Sequence, residues 1–248
     1  MLRRHLGRVL GPDASEETLD RLVAGGFDSY ARYWLESFRL PGRSKTEMDD
    51  QMKHEGFERI LQAREAGTGA IMALPHLGGW EFGGAWVAAQ GHPITVVVER
   101  IQPPELFEWF RRLRSDMGMN VIAVDDNSGA AVLRALKANH VVALVSDRDL
   151  TGTGPEVEFF GERTTLPGGP ALLALRTGAP ILPVGVYFRP DGGYHGLVRP
   201  AVPVERLGPR LADDVARITQ SLAHELEILI RRAPEQWHLL QPNWPSDY

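Results

Sequence analysis

The 248-residue sequence contains no cysteine, no strong charge excess and no long apolar run. Without cysteine there is no disulfide framework, thiolate metal site or cysteine nucleophile. The formal net charge of −5 argues against a nucleic-acid partner, because such proteins usually carry a strongly basic surface. No stretch approaches the roughly 20 apolar residues that a membrane-spanning helix needs. We expect no signal peptide, since no apolar segment follows the basic N-terminal residues. Binding to a membrane surface is still compatible with this composition.

Several motifs that identify common enzyme classes are also absent. The sequence has no Gly-x-x-x-x-Gly-Lys-Ser/Thr loop, no Gly-x-Gly-x-x-Gly after the first predicted strand of the sheet, no Gly-x-Ser-x-Gly elbow and no His-Glu-x-x-His. We therefore expect no metal ion, no bound cofactor and no serine nucleophile of the usual hydrolase type. A nucleotide-binding α/β domain is disfavoured by the missing phosphate loop.

Two regions of the chain differ in pattern. In residues 1–66 apolar residues recur every three or four positions, which predicts helices, including one over 47–66. From Thr68 onward, short continuous apolar runs alternate with helical segments, which is typical of a parallel sheet covered on both faces. We predict a single α/β domain over 1–248, with a central mostly parallel sheet flanked by helices in 67–248 and an N-terminal helical cap in 1–66.

His76 follows the first strand of the predicted sheet, at the edge where open α/β sheets bind ligands. Gly78 and Gly79 allow a tight turn before a predicted helix, whose free N–H groups collect there. A neutral imidazole in this place can act as a general base on a hydroxyl, or it can simply cap the strand. Glu81 lies about 140° around a helix from His76, at about 100° per residue, so the two touch only if the turn is irregular.

A charged cluster, residues 146–149, follows the strand predicted over 141–145. One of its acids, Asp147 or Asp149, could orient His76 as the third group does in a catalytic triad. Arg148 could bind a phosphate, or the cluster could be a structural group of ion pairs. Because no serine or cysteine nucleophile is evident, direct attack by a substrate hydroxyl is the simplest use of a His/acid pair.

At these residues the sequence resembles the lysophospholipid acyltransferase superfamily, whose His-x4-Asp/Glu signature stands here as His76 to Glu81. Further segments resemble the bacterial lipid A acyltransferase branch: 146–151, 156–161, 166–174, 234–238 and 241–244. Trp86, the Glu99-Arg100 pair and Arg148 are similar to the actinobacterial phosphatidylinositol mannoside acyltransferases. The resemblance covers nearly the whole chain from Phe27 onward.

The resemblance implies transfer of a fatty acyl group, commonly palmitoyl, from acyl-CoA to a sugar hydroxyl of a membrane glycolipid. It implies that His76 is the catalytic base, that Asp149 is its acid partner, and that Glu81 holds the active-site loop. The spacing argument also favours Asp149 over Glu81 as that partner. The backbone at Gly78 and Gly79, or Arg148, is expected to stabilise the oxyanion. The expected substrate-binding residues are Glu99, Arg114, Arg148 and Arg176.

Charge patterning adds an expected partner, an anionic membrane surface. Residues 1–45 hold eight Lys/Arg and six Asp/Glu, a net of +2, and Arg111 and Arg112 lie beside Trp109 and Phe110. We expect peripheral attachment to the cytoplasmic face of the plasma membrane. Relatives usually begin with a longer apolar or amphipathic segment, so this chain is expected to be shortened or to dock differently. Oligomeric state, acyl length and the acceptor hydroxyl stay open.

The alternatives within this interpretation differ in product. A lipid A-type enzyme uses another glycolipid acceptor, a thioesterase activates water and releases free fatty acid, and a lipid carrier binds lipid without turnover. The carrier interpretation leaves the pairing of His76 with an acid without a purpose. Phosphatidylinositol mannoside is the acceptor that the resemblance favours.

Overall fold

The computed structural model describes residues 1–125 and 127–248. Its helices are α1 (Leu2–Leu10), α2 (Glu16–Arg39), α3 (Lys45–Gln51), α4 (Glu58–Glu65), α5 (Trp80–Ala89), α6 (Pro104–Asp116), α7 (Ser128–Lys137), α8 (Gly169–Thr177) and α9 (Leu211–Arg232). Its strands are β1 (Met52–Glu55), β2 (Ala70–Leu74), β3 (Ile94–Val98), β4 (Asn120–Ala123), β5 (Val141–Val145), β6 (Glu156–Phe159), β7 (Glu162–Thr165), β8 (Ile181–Phe188) and β9 (Tyr194–Val198).

A seven-stranded sheet forms the centre, in the order β1-β9-β8-β2-β5-β3-β4. All neighbouring strands are parallel except the antiparallel pair β8 and β9. The predicted α/β class with a mostly parallel sheet is therefore confirmed. Strands β6 and β7 form a separate antiparallel hairpin.

The central strand β2 shows why the apolar runs fold this way. All five of its residues are buried, and successive side chains point to opposite faces of a strand. Ile71 and Ala73 pack in the core that contains residues of α7, α8 and α9. Met72 and Leu74 pack in the second core, which contains residues of α2, α4 and α5. A strand covered on both faces has to be apolar at every position.

The helix predicted over 47–66 is wrong, because α3, β1 and α4 occupy that stretch. Strand β1 pairs in parallel with β9 at the edge of the sheet. Gly56 makes the turn that follows, with φ +78, and a Cβ there would lie 2.1 Å from the Val198 carbonyl oxygen. The N-terminal cap is thus mainly helical but also contributes an edge strand.

After α9 the chain runs back across the molecule as a C-terminal segment, residues 234–247. It is fastened to α1, since the His5 Nδ1 lies 2.9 Å from the Leu239 carbonyl oxygen and the Arg8 guanidinium donates to Asp247 at 2.8 Å. Burial alone raises the pKa of the Asp247 carboxyl, but hydrogen bonds from the Asn243 and Trp244 N–H groups, Arg8 and His5 hold it well below its ordinary value.

None of the helices in the described ranges combines the length and hydrophobicity needed to span a bilayer.

Candidate active site

His76 lies in the loop that joins β2 to α5, two residues beyond the end of the central strand. Its backbone is fixed on both sides: its N–H donates to Asp147 Oδ2 at 2.9 Å, and its carbonyl accepts from the His238 N–H at 2.7 Å. Gly78 turns the loop with φ +59, where a Cβ would lie 2.2 Å from the Val186 carbonyl oxygen. The loop therefore holds the imidazole at the carboxyl edge of the sheet.

The His76 side chain pairs with Asp147, whose Oδ1 is 2.8 Å from His76 Nδ1. The Asp147 side chain is completely buried, whereas that of His76 is 33% exposed. Since an ionised carboxylate only accepts hydrogen bonds, Nδ1 carries the proton and Nε2 holds the free lone pair. Nε2 has no hydrogen-bond partner in the described part of the chain. This is the arrangement that a general base requires.

Strand register explains how residues far apart in sequence meet here. Strands β2 and β5 are parallel neighbours, with Leu74 opposite Val145, and the Ser146 N–H donates to the Leu74 carbonyl at 2.8 Å. Residues just beyond both strand ends therefore come side by side, which brings His76 next to Asp147. The predicted His76 and an acid of residues 146–149 therefore meet where these two strands end.

Asp147 is held by more than His76. Its Oδ2 also accepts from Trp237 Nε1 at 2.8 Å, and its backbone carbonyl accepts from Asn243 Nδ2 at 3.0 Å. Burial alone raises the pKa of the Asp147 carboxyl, but the charge of a protonated His76 and the hydrogen bonds from His76 and Trp237 outweigh burial, so this pKa lies below its ordinary value. The carboxylate is thus ionised and ready to stabilise an imidazolium.

The expected pairing of Asp149 with His76 is wrong. Asp149 Oδ1 accepts from the Thr151 N–H at 3.0 Å, and its Oδ2 accepts from the Gly154 N–H at 2.7 Å. The carboxylate therefore folds the loop after β5 rather than orienting the imidazole. The sequence allowed either Asp147 or Asp149 as the acid partner. The strand register places Asp147 beside His76, since each lies two residues beyond the paired Leu74 and Val145.

Glu81 and Arg114 form a buried ion pair on the other side of the loop. Arg114 Nε donates to Glu81 Oε2 at 3.0 Å, a second guanidinium nitrogen donates to Oε1, and the Tyr33 hydroxyl donates to Oε1 at 3.3 Å. Glu81 accordingly ties the first turn of α5 to α6 and α2. Its contacts agree with the spacing argument that separates it from His76. Arg114, an expected substrate-binding residue, is engaged by Glu81.

The other expected substrate-binding residues fall into two places. Glu99 follows β3 and Arg148 follows β5, so both lie at the His76 edge, with 3.7 Å between Arg148 Nη1 and Glu99 Oε2. Arg176 is exposed in the last turn of α8, just before Pro180. The Pro180 carbonyl accepts from the Ile71 N–H at the opposite, amino end of β2. The structure does not bring Arg176 to the group around His76.

The expected oxyanion donors also have other partners. The Gly78 N–H donates to the Gln236 carbonyl at 2.9 Å, and the Gly79 N–H donates to the Val186 carbonyl at 2.8 Å. Among the described residues, the N–H groups of Trp80 and Glu81 in the first turn of α5 have no acceptor. A helix terminus leaves such donors free as a rule.

Sequence reasoning missed two residues of the C-terminal segment, Trp237 and His238. His238 is buried, its Nε2 is 2.8 Å from Ser29 Oγ, and its ring centroid lies 5.7 Å from that of Trp80. Burial, helped by the charge of a protonated His76, lowers the pKa of His238 to about 3, so this ring is neutral. The only signal for these residues was the resemblance of residues 234–238.

The mostly parallel sheet and the histidine–carboxylate pair at its carboxyl edge define the class, an α/β protein whose candidate site contains a His/acid pair. Within the described residues, no three His, Asp or Glu side chains gather as metal ligands would. The family described as bacterial lipid A biosynthesis acyltransferase matches residues 1–246, and the chain belongs to this family. The family prediction is confirmed, and the chain is an acyltransferase.

Individual relatives agree with this assignment. The chain is 37% identical to a phosphatidylinositol mannoside acyltransferase of Mycolicibacterium smegmatis, over 99% of this chain and 79% of the relative. It is 39% identical to the protein of the same name from Mycobacterium tuberculosis, over 99% and 77%. A lipid A biosynthesis acyltransferase of Haemophilus influenzae is 24% identical, over 91% and 69%.

Proposed function

We propose that this acyltransferase moves a fatty acyl group, palmitoyl in the first instance, from acyl-CoA to a sugar hydroxyl of a phosphatidylinositol mannoside. The observation that carries the chemistry is the His76–Asp147 pair, whose partly exposed imidazole lies at the edge where parallel sheets bind substrates. The choice of acceptor is supported by the names of the relatives that share 37% and 39% of their aligned residues with this chain.

The reaction needs no covalent enzyme intermediate. His76 Nε2 takes the proton of the acceptor hydroxyl while that oxygen bonds to the thioester carbonyl carbon, and the carbonyl electrons move onto oxygen. Asp147 stabilises the resulting imidazolium. When the tetrahedral intermediate collapses, the C–S bond breaks and the imidazolium returns the proton to the sulfur, which leaves as CoA thiol. The first-turn N–H groups of α5 and the Arg148 guanidinium are the proposed oxyanion donors.

A small apolar pocket of about 30 Å³ lies beneath α5. Gly83 and Trp86 of α5, Met72 of β2, Val186 of β8 and Gly196 of β9 are among its lining residues. The first turn of the same helix follows the His76 loop directly. Hydrocarbon buried in such a pocket gains about 0.8 kcal/mol per methylene group. A volume of about 30 Å³ holds roughly one water molecule. A long acyl chain therefore enters only when the lining side chains move apart, and we propose this pocket as the place where it does so.

The outer face of α2 supports association with a membrane surface. Five of its exposed residues are apolar and recur at helical spacing: Ala24, Phe27, Ala31, Leu35 and Phe38. The exposed Asp28 lies among them. Phe38 meets Trp109 of α6 with ring centroids 5.2 Å apart, and Trp109 is also exposed. Arg39 at the end of α2 and Arg112 on α6, three residues after Trp109, are both exposed, and neither forms a salt bridge within the described ranges. Such a face suits peripheral binding to an anionic bilayer, and we propose the cytoplasmic side of the plasma membrane as its location.

The function is tested by incubating the protein with palmitoyl-CoA and a panel of glycolipids, and by identifying products by mass spectrometry. We expect an acylated phosphatidylinositol mannoside and free CoA. His76→Ala should slow transfer by roughly 10²–10⁴-fold. His224→Ala, which removes an exposed histidine of α9, is the matched control and should leave the rate unchanged.

Each other product contradicts a different part of the proposal. Acylation of a lipid A precursor but not of mannosides overturns the acceptor. Free palmitate as the main product indicates a thioesterase, and bound lipid without turnover indicates a carrier. Full activity of the His76→Ala protein overturns the general base.

Membrane association is tested separately by flotation with vesicles of phosphatidylcholine alone or with phosphatidylinositol. We expect binding only to the anionic vesicles, and weaker binding of the Phe38→Ser protein. Leu207→Ser is the control, because Leu207 is 67% exposed but lies outside the α2 face. Equal binding by both variants and the unchanged protein would place the membrane contact elsewhere.

A further inference from the structure

Among the described residues, the Asp147 carboxylate receives three hydrogen bonds, of which one comes from outside the His76 loop. His76 supplies its Nδ1–H to Oδ1 and its backbone N–H to Oδ2. The third donor is Trp237 Nε1, which lies 2.8 Å from Oδ2. Asn243 contacts the backbone carbonyl of Asp147, so it does not constrain rotation of the carboxylate. The indole is therefore the one side chain of another segment that fixes this carboxylate among the described residues.

Trp237 is itself held in a fixed relation to the loop. Residues 236–238 run antiparallel to residues 76–78, with Leu77 opposite Trp237. On one side the Gly78 N–H donates to the Gln236 carbonyl at 2.9 Å, and on the other the His238 N–H donates to the His76 carbonyl at 2.7 Å. The Trp237 side chain is fully buried. Because the indole is held in place, its N–H can fix the orientation of the Asp147 carboxylate.

We infer that Trp237 is a positioning residue of the acyl transfer: its indole N–H holds Asp147 Oδ2 so that Oδ1 faces His76 Nδ1. This inference rests on the proposed function. Trp237 touches neither substrate nor the reacting atoms, and it acts through Asp147. Without its N–H the carboxylate keeps only donors from His76, so carboxylate and imidazole can swing together away from the acceptor hydroxyl. A misplaced base slows catalysis far more than it weakens substrate binding.

The chain offers a matched control in Trp244. This tryptophan is also fully buried, and its Nε1 also donates one hydrogen bond, but to the Phe159 carbonyl at 3.2 Å instead of to the pair. Replacing either indole by phenylalanine removes similar volume and one hydrogen bond. The two variants therefore share the structural cost and differ in the contact with Asp147.

The experiment compares Trp237→Phe, Trp244→Phe and a protein carrying at position 237 the benzothienyl analogue of tryptophan, in which sulfur replaces the N–H. The analogue keeps the shape of the ring, so the protein that carries it should fold even if Trp237→Phe does not. Loss of a hydrogen bond to a charged group corresponds to a fall in kcat of roughly 10- to 100-fold. We expect that fall in both 237 variants, with KM for palmitoyl-CoA little changed. Trp244→Phe should lose stability and keep kcat.

A second readout does not depend on turnover. The His76 Nδ1 proton gives an NMR signal only while its hydrogen bond slows exchange with water, so it should broaden or shift in the two 237 variants and persist in Trp244→Phe. Unchanged kcat and an unchanged signal in the analogue would overturn the inference, as would an equal loss of kcat in Trp244→Phe. If the unaltered protein transfers no acyl group, the proposed function fails while the NMR comparison still decides the role of Trp237.

Discussion

Changing Asp147 to asparagine tests the central pair with almost no change in shape. Two donors, the His76 N–H and Trp237 Nε1, converge on Oδ2. The amide oxygen of asparagine has to take that position, because an NH₂ group there would face both donors. The NH₂ group then takes the place of Oδ1, which in the unaltered protein lies 2.8 Å from His76 Nδ1. It forces the proton onto Nε2 and removes the lone pair that accepts the substrate proton.

The magnitude follows from the loss of the base and of the charge beside the imidazolium. General-base catalysis is worth roughly 10²–10⁴-fold, which corresponds to about 2.7–5.4 kcal/mol of activation free energy. Both hydrogen bonds to Oδ2 persist in the variant, so we expect the free energy of unfolding to change by only about 1 kcal/mol. A large kinetic effect with a small effect on stability is the expected signature.

The assay measures release of CoA thiol from palmitoyl-CoA at saturating acceptor, together with urea unfolding. Asp149→Asn is the matched control, because it makes the same change two residues further on, in a carboxylate that contacts Thr151 and Gly154. We expect Asp149→Asn to retain most of kcat. A larger loss in Asp149→Asn than in Asp147→Asn would refute the assignment of Asp147.

Three further predictions concern the surroundings of the pair. Glu81→Ala leaves the Arg114 guanidinium buried without its partner and should lower the free energy of unfolding by about 3–5 kcal/mol, measured in urea. Gly83→Ala places a Cβ 2.7 Å from a valine methyl in the apolar pocket and should shift the preference of the enzyme toward shorter acyl-CoA. Gly129→Ala is the control, because its new Cβ lies in open space. Identical chain-length profiles of the two variants would contradict the pocket assignment. Because the folded pKa of Asp247 is depressed below the ordinary 3.8, its stabilisation is present at pH 7 and is lost as pH falls below about 4. Asp247→Asn should therefore be less stable at pH 7 and approach the unaltered protein in acid, and a pH-independent difference in unfolding free energy would disprove this.

Local sequence pattern was enough to predict the sheet and to select its carboxyl edge for the candidate site. The continuous apolar runs of β2 and β5 reflect burial on both faces, which a single sequence shows directly. His76 was identifiable because the rule on carboxyl strand ends depends on fold class alone. The edge strand β1 was not identifiable, since only one of its four residues is buried and it lacks an apolar run.

The partners of His76 depend on information that local pattern does not contain. The choice between Asp147 and Asp149 is decided by the register of β2 against β5, in which Leu74 lies opposite Val145. Trp237 stands 90 positions from Asp147 and reaches it only because the C-terminal segment pairs with the loop. Neither spacing nor periodicity encodes such contacts between distant segments.

The C-terminal segment also links the proposed activity to the course of folding. His76 and Asp147 are separated by 71 positions, and Asp147 and Trp237 by 90. Closing loops of this length costs conformational entropy before any contact compensates it, so contacts of high sequence separation form late. In a chain that has formed the sheet but has not yet docked residues 234–247, Asp147 lacks its hydrogen bond from Trp237. His76 likewise lacks its backbone hydrogen bond from His238. The proposed acyl transfer should therefore reach its full rate only after residues 234–247 have docked.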